Sequence, residues 1–149
     1  MVPSLPALLL GTDPFQRRLD GLLALAVGVL TALAYATELF ELAGGVVFVP
    51  FHAALVGLVA AAGVGYRRGG VAFGWLVAYT PYLGLSATWG FLWLSGTRTL
   101  ADRLAFVFDP EGLAFYGLFA AVVGGVGYAL GHLCSLGNER LRAAPNGNA

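Results

Sequence analysis

Four apolar stretches, separated by short polar segments, constrain this chain more than any other feature of its sequence. A helix needs about 20 mainly apolar residues to cross the hydrocarbon of a bilayer. Only 11% of the 149 residues are charged, whereas 58% are hydrophobic. A soluble domain carries roughly a quarter charged residues, so this chain has too few charges to cover a surface in water. We therefore predict one membrane domain, residues 1–149, in the cell membrane, with the lipid bilayer as a partner.

The predicted fold class is an all-α integral membrane protein, a bundle of four transmembrane helices. The first helix is expected to begin after Asp13 as N-cap, with Pro14 in the first turn and Gln16 completing a capping box. The fourth is expected to begin after Asp109 in the same way. Glycines are expected to end each span, and the polar tail 138–149 is expected to be disordered. The spans cover about residues 19–42, 48–66, 71–95 and 112–135.

The arginines predict the orientation of the bundle. Only Arg98 and Arg103 fall on one side of a four-span arrangement. The positive-inside rule places the arginine-rich side, and with it both termini, in the cytoplasm. The arginines on that side are Arg17, Arg18, Arg67, Arg68, Arg140 and Arg142.

A short amphipathic interfacial helix is predicted between spans three and four, on the outer membrane surface. Leu100, Leu104 and Val107 recur there at helical spacing, with charged residues on the other faces. Thr99 is a suitable cap for this helix, with Asp102 at the third helical position. An ordinary loop packed over the mouth of the bundle is the alternative.

Small residues recur at four-residue spacing in every span, for example Gly28 and Ala32 in the first and Gly57 and Ala61 in the second. Helices in lipid associate through close packing of such residues, because lipid tails are as apolar as leucine. We therefore predict a tight bundle, with one row left over for self-association. The row in the fourth span consists of Gly117, Ala121, Gly125 and Ala129, with Gly127 and Gly131 in addition.

The third span carries aromatic side chains along one helical face, and Pro81 interrupts the same helix and frees the carbonyl of Val77. One interpretation is a ligand groove in which hydroxyl and indole donors hold a quinone or a lipid. The other is packing, with the polar tips bonded to neighbouring helices. We favour packing, because aromatic residues at helical spacing usually fill a core and Trp is common at membrane interfaces. The candidate groove residues are Trp75, Tyr79, Tyr82, Ser86 and Trp89.

Polar residues are expected at the outer ends of the first two spans and in the loop after the third. An ionisable residue inside a membrane is a functional candidate, provided that it lies deep enough. One interpretation is a rim of charges that pair across loops. The other is a proton or cation site in which Glu38 and His52 exchange a proton. We favour the rim, because the cost of charge is small near the interface. The candidate residues are Glu38, Glu41, His52, Arg98 and Arg103.

The sequence excludes several chemistries. It contains no lysine for a Schiff base, and Cys134 is its only cysteine, so no internal disulfide forms. A formal net charge of zero argues against nucleic acid as a partner. His52 and His132 are expected near opposite faces, about 30 Å apart, which prevents bis-histidine haem ligation within one protomer. His132 and Cys134 provide only two ligands, so we predict no metal site, no cofactor and no catalytic residues.

These observations predict a non-enzymatic membrane protein that acts by helix packing, as a homo-oligomer or as an accessory subunit of another membrane protein. Two alternatives stay open. One is a proton- or cation-conducting channel or transporter that uses Glu38 and His52. The other is a quinone- or haem-binding redox subunit, built on the aromatic stripe or on His52 in a dimer. No motif identifies a family.

Overall fold

The computed structural model describes residues 5–11, 13–40, 50–94, 96 and 98–143, and over these residues the regular structure is entirely helical. The helix α4 continues directly into a π-helical turn, Trp89–Trp93. The helices are α1 (Leu5–Leu10), α2 (Pro14–Ala36), α3 (Phe51–Tyr66), α4 (Val71–Thr88), α5 (Leu100–Val107) and α6 (Pro110–Ala143).

Within the part of the chain that the structure describes, two helices are long and apolar enough to cross a membrane. One is α2, and the other lies in the stretch Leu100–Arg142, which contains α6. Only 22% and 17% of their most apolar windows are buried inside the protein, whereas the core helix of a soluble protein is mostly buried. The helix α3 is also apolar but has only 16 residues.

The predicted helix caps are confirmed with one exception. The Asp13 carboxylate accepts a hydrogen bond from the backbone N–H of Phe15 at 2.9 Å, and Asp109 accepts one from Gly112 at 2.8 Å. A capping box at the start of α5 joins Thr99 and Asp102 in both directions. The exception is Gln16, whose side chain donates to the Arg67 carbonyl at 2.7 Å and so ties α2 to the end of α3.

Two helix ends differ from the prediction. The helix α2 ends at Ala36 and not near residue 42, because Glu38 adopts a left-handed φ of 59° and its N–H donates to the Tyr35 carbonyl at 3.2 Å. The predicted glycine stop at 44–45 lies outside the described residues. At the other end of the chain, α6 does not end at Gly137.

Residues 138–143 are helical, which corrects the prediction of a disordered tail from residue 138. The side chain of Asn138 donates to the Tyr66 hydroxyl at 3.0 Å, and Glu139 pairs with Arg68. Arg140 and Arg142 lie in the last turn of α6, where cations interact favourably with the helix dipole.

A tight turn joins α3 to α4. The backbone N–H of Gly69 donates to the Val64 carbonyl at 2.9 Å and that of Arg68 donates to Gly65 at 3.0 Å, which is the Schellman pattern. Arg68 occupies the left-handed position with φ 60°, a conformation that glycine usually takes. The turn therefore brings the Arg67 side chain back towards α2.

The helix α4 is the central element, since it packs against α2, α3 and α6. Small residues allow the close approaches. A Cβ on Gly84 would meet the Gly28 carbonyl of α2 at 2.5 Å, and one on Gly57 would meet Ala78 at 3.0 Å. The predicted small-residue rows of the first three spans thus lie between helices, as expected for close packing.

The helix α6 packs through only some of the predicted small residues. Gly127 and Gly131 are buried, as expected for close packing. Ala121, Gly125 and Ala129 are exposed, and a Cβ on Gly125 would meet no atom within 4 Å. The buried small residues of α6 are Ala120, Gly124, Gly127, Gly131 and Ser135.

Candidate functional site

The aromatic stripe of α4 packs against α6. The indole N–H of Trp75 donates to the Gly117 carbonyl at 2.9 Å, and the Tyr79 hydroxyl donates to the Leu113 carbonyl at 3.2 Å. The Tyr82 ring stacks on Tyr116 with centroids 5.2 Å apart. These contacts match the packing interpretation of the stripe.

The remaining residues of the aromatic stripe are more exposed. Ser86 is half-buried, while Trp89 and Trp93 are each about two-fifths exposed and pack on one another at 5.5 Å. They lie in the π-helical turn, whose Gly90 and Phe91 carbonyls accept hydrogen bonds from Arg103 at 3.3 and 2.5 Å. Arg103 therefore fixes the end of α4.

The predicted rim of paired charges is not formed among the described residues. Glu38 and Arg98 are exposed, and Arg103 bonds to backbone carbonyls. His52 is half-buried, and its ring stacks on Phe40 at 4.9 Å. Glu41 lies outside the described residues. Neither Glu38 nor His52 therefore forms an ion pair with Arg98 or Arg103.

Among the described residues the most deeply buried charge is Asp20, which the sequence prediction did not single out. Asp20 is 1% exposed and lies in the second turn of α2. Its Oδ1 accepts from Arg67 Nη2 at 2.5 Å, and 42% of the Arg67 side chain is exposed. The other oxygen, Oδ2, is buried without a hydrogen-bond partner in the described structure. One side of this carboxylate is therefore compensated by a cation and the other is not.

Further polar groups surround this pair, and we call the set Asp20, Arg67, Gln16, Arg17 and Tyr128 the Asp20 cluster. Arg17 donates to the Gly11 carbonyl at 2.8 Å. The Tyr128 hydroxyl of α6 donates to the Gly69 carbonyl at 2.7 Å. The cluster thus joins α2, α6 and the turn between α3 and α4.

Two glycines lie beside the Asp20 cluster, at the turn between α3 and α4. A Cβ on Gly69 would come within 2.5 Å of Asp20 Oδ2. A Cβ on Gly70 would overlap the carbonyl of Leu9, because α1 crosses directly over this turn. The site therefore has no room for a side chain at either position, and α1 covers it.

An open apolar groove of about 390 Å³ lies between α2 and α3. None of the described residues that line it carries a hydroxyl, indole or charged group that would hold the head of a quinone. Its lining consists of Val27, Leu55, Val56, Val59 and Ala60.

The two histidines are at opposite ends of the bundle. His52 is in the first turn of α3 and His132 is near the end of α6, where its ring stacks on Tyr128 at 6.2 Å. Cys134 is exposed. No group of three or more His, Cys, Asp or Glu side chains that could hold a metal is found among the described residues.

A sequence signal for Asp20 did exist. Asp20 is the one charged residue between Arg18 and Glu38, within a run that is otherwise almost entirely apolar. A carboxylate two turns inside such a helix needs a partner if it is buried, and Arg67 and Arg68 were predicted on the same side of the bundle. Which of the two arginines reaches Asp20 depends on the turn geometry.

No protein-family model, curated protein or solved structure matches this chain.

Proposed function

We propose that this is a four-span integral protein of the cell membrane, with both termini in the cytoplasm, that acts without catalysis by helix packing. In this proposal α2, α3, α4 and α6 are the spans, and α5 lies on the outer surface. The exposed leucines of α2 support lipid contact, for example Leu22, Leu25 and Leu30, each more than 60% exposed. Water would be a poor solvent for such a surface.

The ion pairs support the proposed orientation. Arg67 pairs with Asp20 near the start of α2, and Arg68 pairs with Glu139 near the end of α6. The arginine-rich ends of these helices therefore meet at one end of the bundle. By the positive-inside rule this end is cytoplasmic. A reporter fused to the C-terminus, active only on one side of the membrane, tests this orientation.

The single observation that carries the proposal is the unused row on α6. Ala121, Gly125 and Ala129 form a small-xxx-small row that no helix in the described part of the chain covers. Rows of this kind let two helices approach closely in lipid. We propose that a helix of a second copy, or of another membrane protein, packs on this row.

Native mass spectrometry of protein extracted gently from its host membrane tests the proposal. We expect a mass above that of the monomer, either a multiple of the chain or one increased by another polypeptide. Gly125→Leu should return the mass to that of the monomer. Gly63→Leu is the matched control, because Gly63 on α3 is also exposed with no atom near a Cβ. A monomer mass for the wild type contradicts the proposal.

A second candidate function, proton or cation transport, is favoured by Asp20. A buried acid within a transmembrane helix is expensive and often marks an ion pathway. In this alternative Asp20 takes the role that the sequence assigned to Glu38 and His52, since Glu38 is exposed.

Flux into proteoliposomes separates the two functions. Transport through the Asp20 cluster requires that Asp20→Asn abolishes flux and that Glu38→Gln leaves it unchanged. Loss of flux with Glu38→Gln, and not with Asp20→Asn, would instead favour transport through Glu38 and His52. No flux with the wild-type protein removes the transport function and leaves the packing function.

A further inference from the structure

The apolar groove between α2 and α3 continues along α3 to a partly exposed cation. Val56 and Ala60 line the groove. Gly63 and Arg67 follow Ala60 at spacings of three and four residues, which places all four on one helical face. Gly63 is exposed, and a Cβ built on it would meet no atom within 4 Å. No side chain of α3 therefore separates the groove from Arg67 along this face.

The same end of the groove is closed on α2 by Asp20. Val27 lines the groove, and Asp20 lies two turns earlier on the same face of α2. The Arg67 side chain crosses from α3 to α2 at this level, since its Nη2 donates to Asp20 Oδ1 at 2.5 Å. The Asp20–Arg67 pair therefore closes the groove at the end that the proposed orientation places in the cytoplasm.

Arg67 presents positive charge towards the outside of the bundle. Asp20 is only 1% exposed, whereas 42% of the Arg67 side chain is exposed. A guanidinium carries five N–H donors, and among the described residues Asp20 is the only group to which this side chain donates. A ligand that approaches from the lipid therefore meets the exposed donors before the buried carboxylate. Such donors favour an anion with oxygen acceptors, for example a phosphate.

The size and depth of the groove favour an acyl chain as its occupant. A helix about 10 Å across occupies roughly 400 Å³ per turn, so a groove of about 390 Å³ accommodates one turn at most and not a further span. Ala60 and Leu55 precede Arg67 by about 10 and 18 Å along the axis of α3. One leaflet contributes about 15 Å of hydrocarbon. The groove therefore lies at the depth of acyl chains whose headgroups are level with Arg67.

We propose that the groove and Arg67 bind one phospholipid of the cytoplasmic leaflet. One acyl chain lies against Val27, Val56 and Ala60, and the phosphate accepts hydrogen bonds from the Arg67 guanidinium. The lipid chain fills the space that remains between α2 and α3, since both helices pack mainly on other elements. This site rests on the proposed placement in a membrane, but it is separate from the row on α6 that carries the proposed function.

Native mass spectrometry with a defined lipid tests the site. The full-length protein is delipidated, reconstituted with phosphatidylglycerol of one chain length and extracted gently. We expect the wild type to retain one lipid per chain and Gly63→Leu to lose it, because the leucine fills the path between the groove and Arg67. Gly125→Leu is the matched control and should retain the lipid, since Gly125 is also exposed with no atom near a Cβ. No retained lipid in the wild type, or equal retention in the two variants, overturns the proposal.

The same spectra separate the lipid site from the proposed packing function. Gly63→Leu should lose the lipid and keep the oligomer mass, whereas Gly125→Leu should keep the lipid and lose the oligomer mass. A wild-type monomer that carries one lipid supports the lipid site and contradicts the packing function. A wild-type oligomer without lipid supports the packing function and overturns the lipid site.

A lipid without a phosphate tests the contact with Arg67 in the wild-type protein, so the result does not depend on how well an arginine variant folds. Diacylglycerol with the same acyl chains should be retained about tenfold less than phosphatidylglycerol, because it lacks the charged acceptor. Equal retention of the two lipids would show that the acyl chain alone holds them, and this result also overturns the proposal.

Discussion

Breaking the Asp20–Arg67 pair is predicted to destabilise the protein far more than breaking the neighbouring pair. Arg67→Gln leaves the Asp20 carboxylate 1% exposed without its cation. Two unit charges about 4 Å apart interact by ~4 kcal/mol at an effective dielectric constant of about 20. Because 42% of the Arg67 side chain is exposed, we reduce this interaction energy by about half for solvent screening, to ~2 kcal/mol.

The matched control is Arg68→Gln. Arg68 pairs with Glu139 at the same 2.5 Å, but the two side chains are 49% and 60% exposed, and an exposed pair contributes about 0–1 kcal/mol. For a chain of this size, ~2 kcal/mol corresponds to a shift of about 4–8 °C in melting temperature.

Melting in detergent, followed by circular dichroism, is the assay. We expect the larger shift for Arg67→Gln, a small one for Arg68→Gln, and partial recovery when Asp20→Asn is added to Arg67→Gln, because the uncompensated charge is then removed. Equal shifts for the two arginine variants would refute the reasoning that burial of Asp20 decides the effect.

Two further predictions concern close packing and pH. Gly131→Ala should lower the free energy of unfolding by about 1–3 kcal/mol, because a Cβ there would overlap the Ala62 carbonyl of α3. Gly137→Ala should raise the free energy of unfolding by about 0.5–1 kcal/mol, because a Cβ there meets nothing within 4 Å. Comparable losses for both variants, measured by melting temperature, would contradict the close contact of α3 and α6. Hydrogen bonds from the side chain and the backbone of Thr99, with a smaller effect of Arg98, hold the pKa of Asp102 below its usual value. A lowered pKa in the folded state means that the capping box stabilises α5 above the unfolded pKa, and that this stabilisation is lost as the pH falls through the folded pKa. NMR titration of the Asp102 carboxyl should therefore give a midpoint below about 3.9. Asp102→Asn should abolish the pH dependence of the stability of α5. A midpoint at or above about 3.9 counts against the capping box.

Local chemistry made several parts of the fold predictable. Asp13-Pro14 and Asp109-Pro110 mark helix starts because a carboxylate accepts from free N–H groups and proline suits the first turn. The capping box of α5 was readable for the same reason. The end of α2 was not, because it depends on a left-handed Glu38, a conformation uncommon for residues other than glycine.

The candidate site was predicted only in part. The sequence indicated that Trp75 and Tyr79 would bond to a neighbouring helix, and the structure identifies α6 as that helix. The sequence also drew attention to Glu38 and His52, whereas the buried charge is Asp20. Depth within a helix can be counted from the sequence, but burial depends on which neighbour covers the residue.

By itself, the sequence determined the apolar helices, most of their starts, and the small-residue rows that let them pack, because these follow from spacing and capping chemistry within one segment. Only the tertiary structure decided which of two small rows on α6 faces its neighbours. It also decided that Arg67 and not Arg68 reaches Asp20, and that Tyr35 and Tyr82 are fully buried in the core. The physical reason is that helix rotation and turn geometry are set by contacts between segments far apart in the chain, which no local pattern specifies.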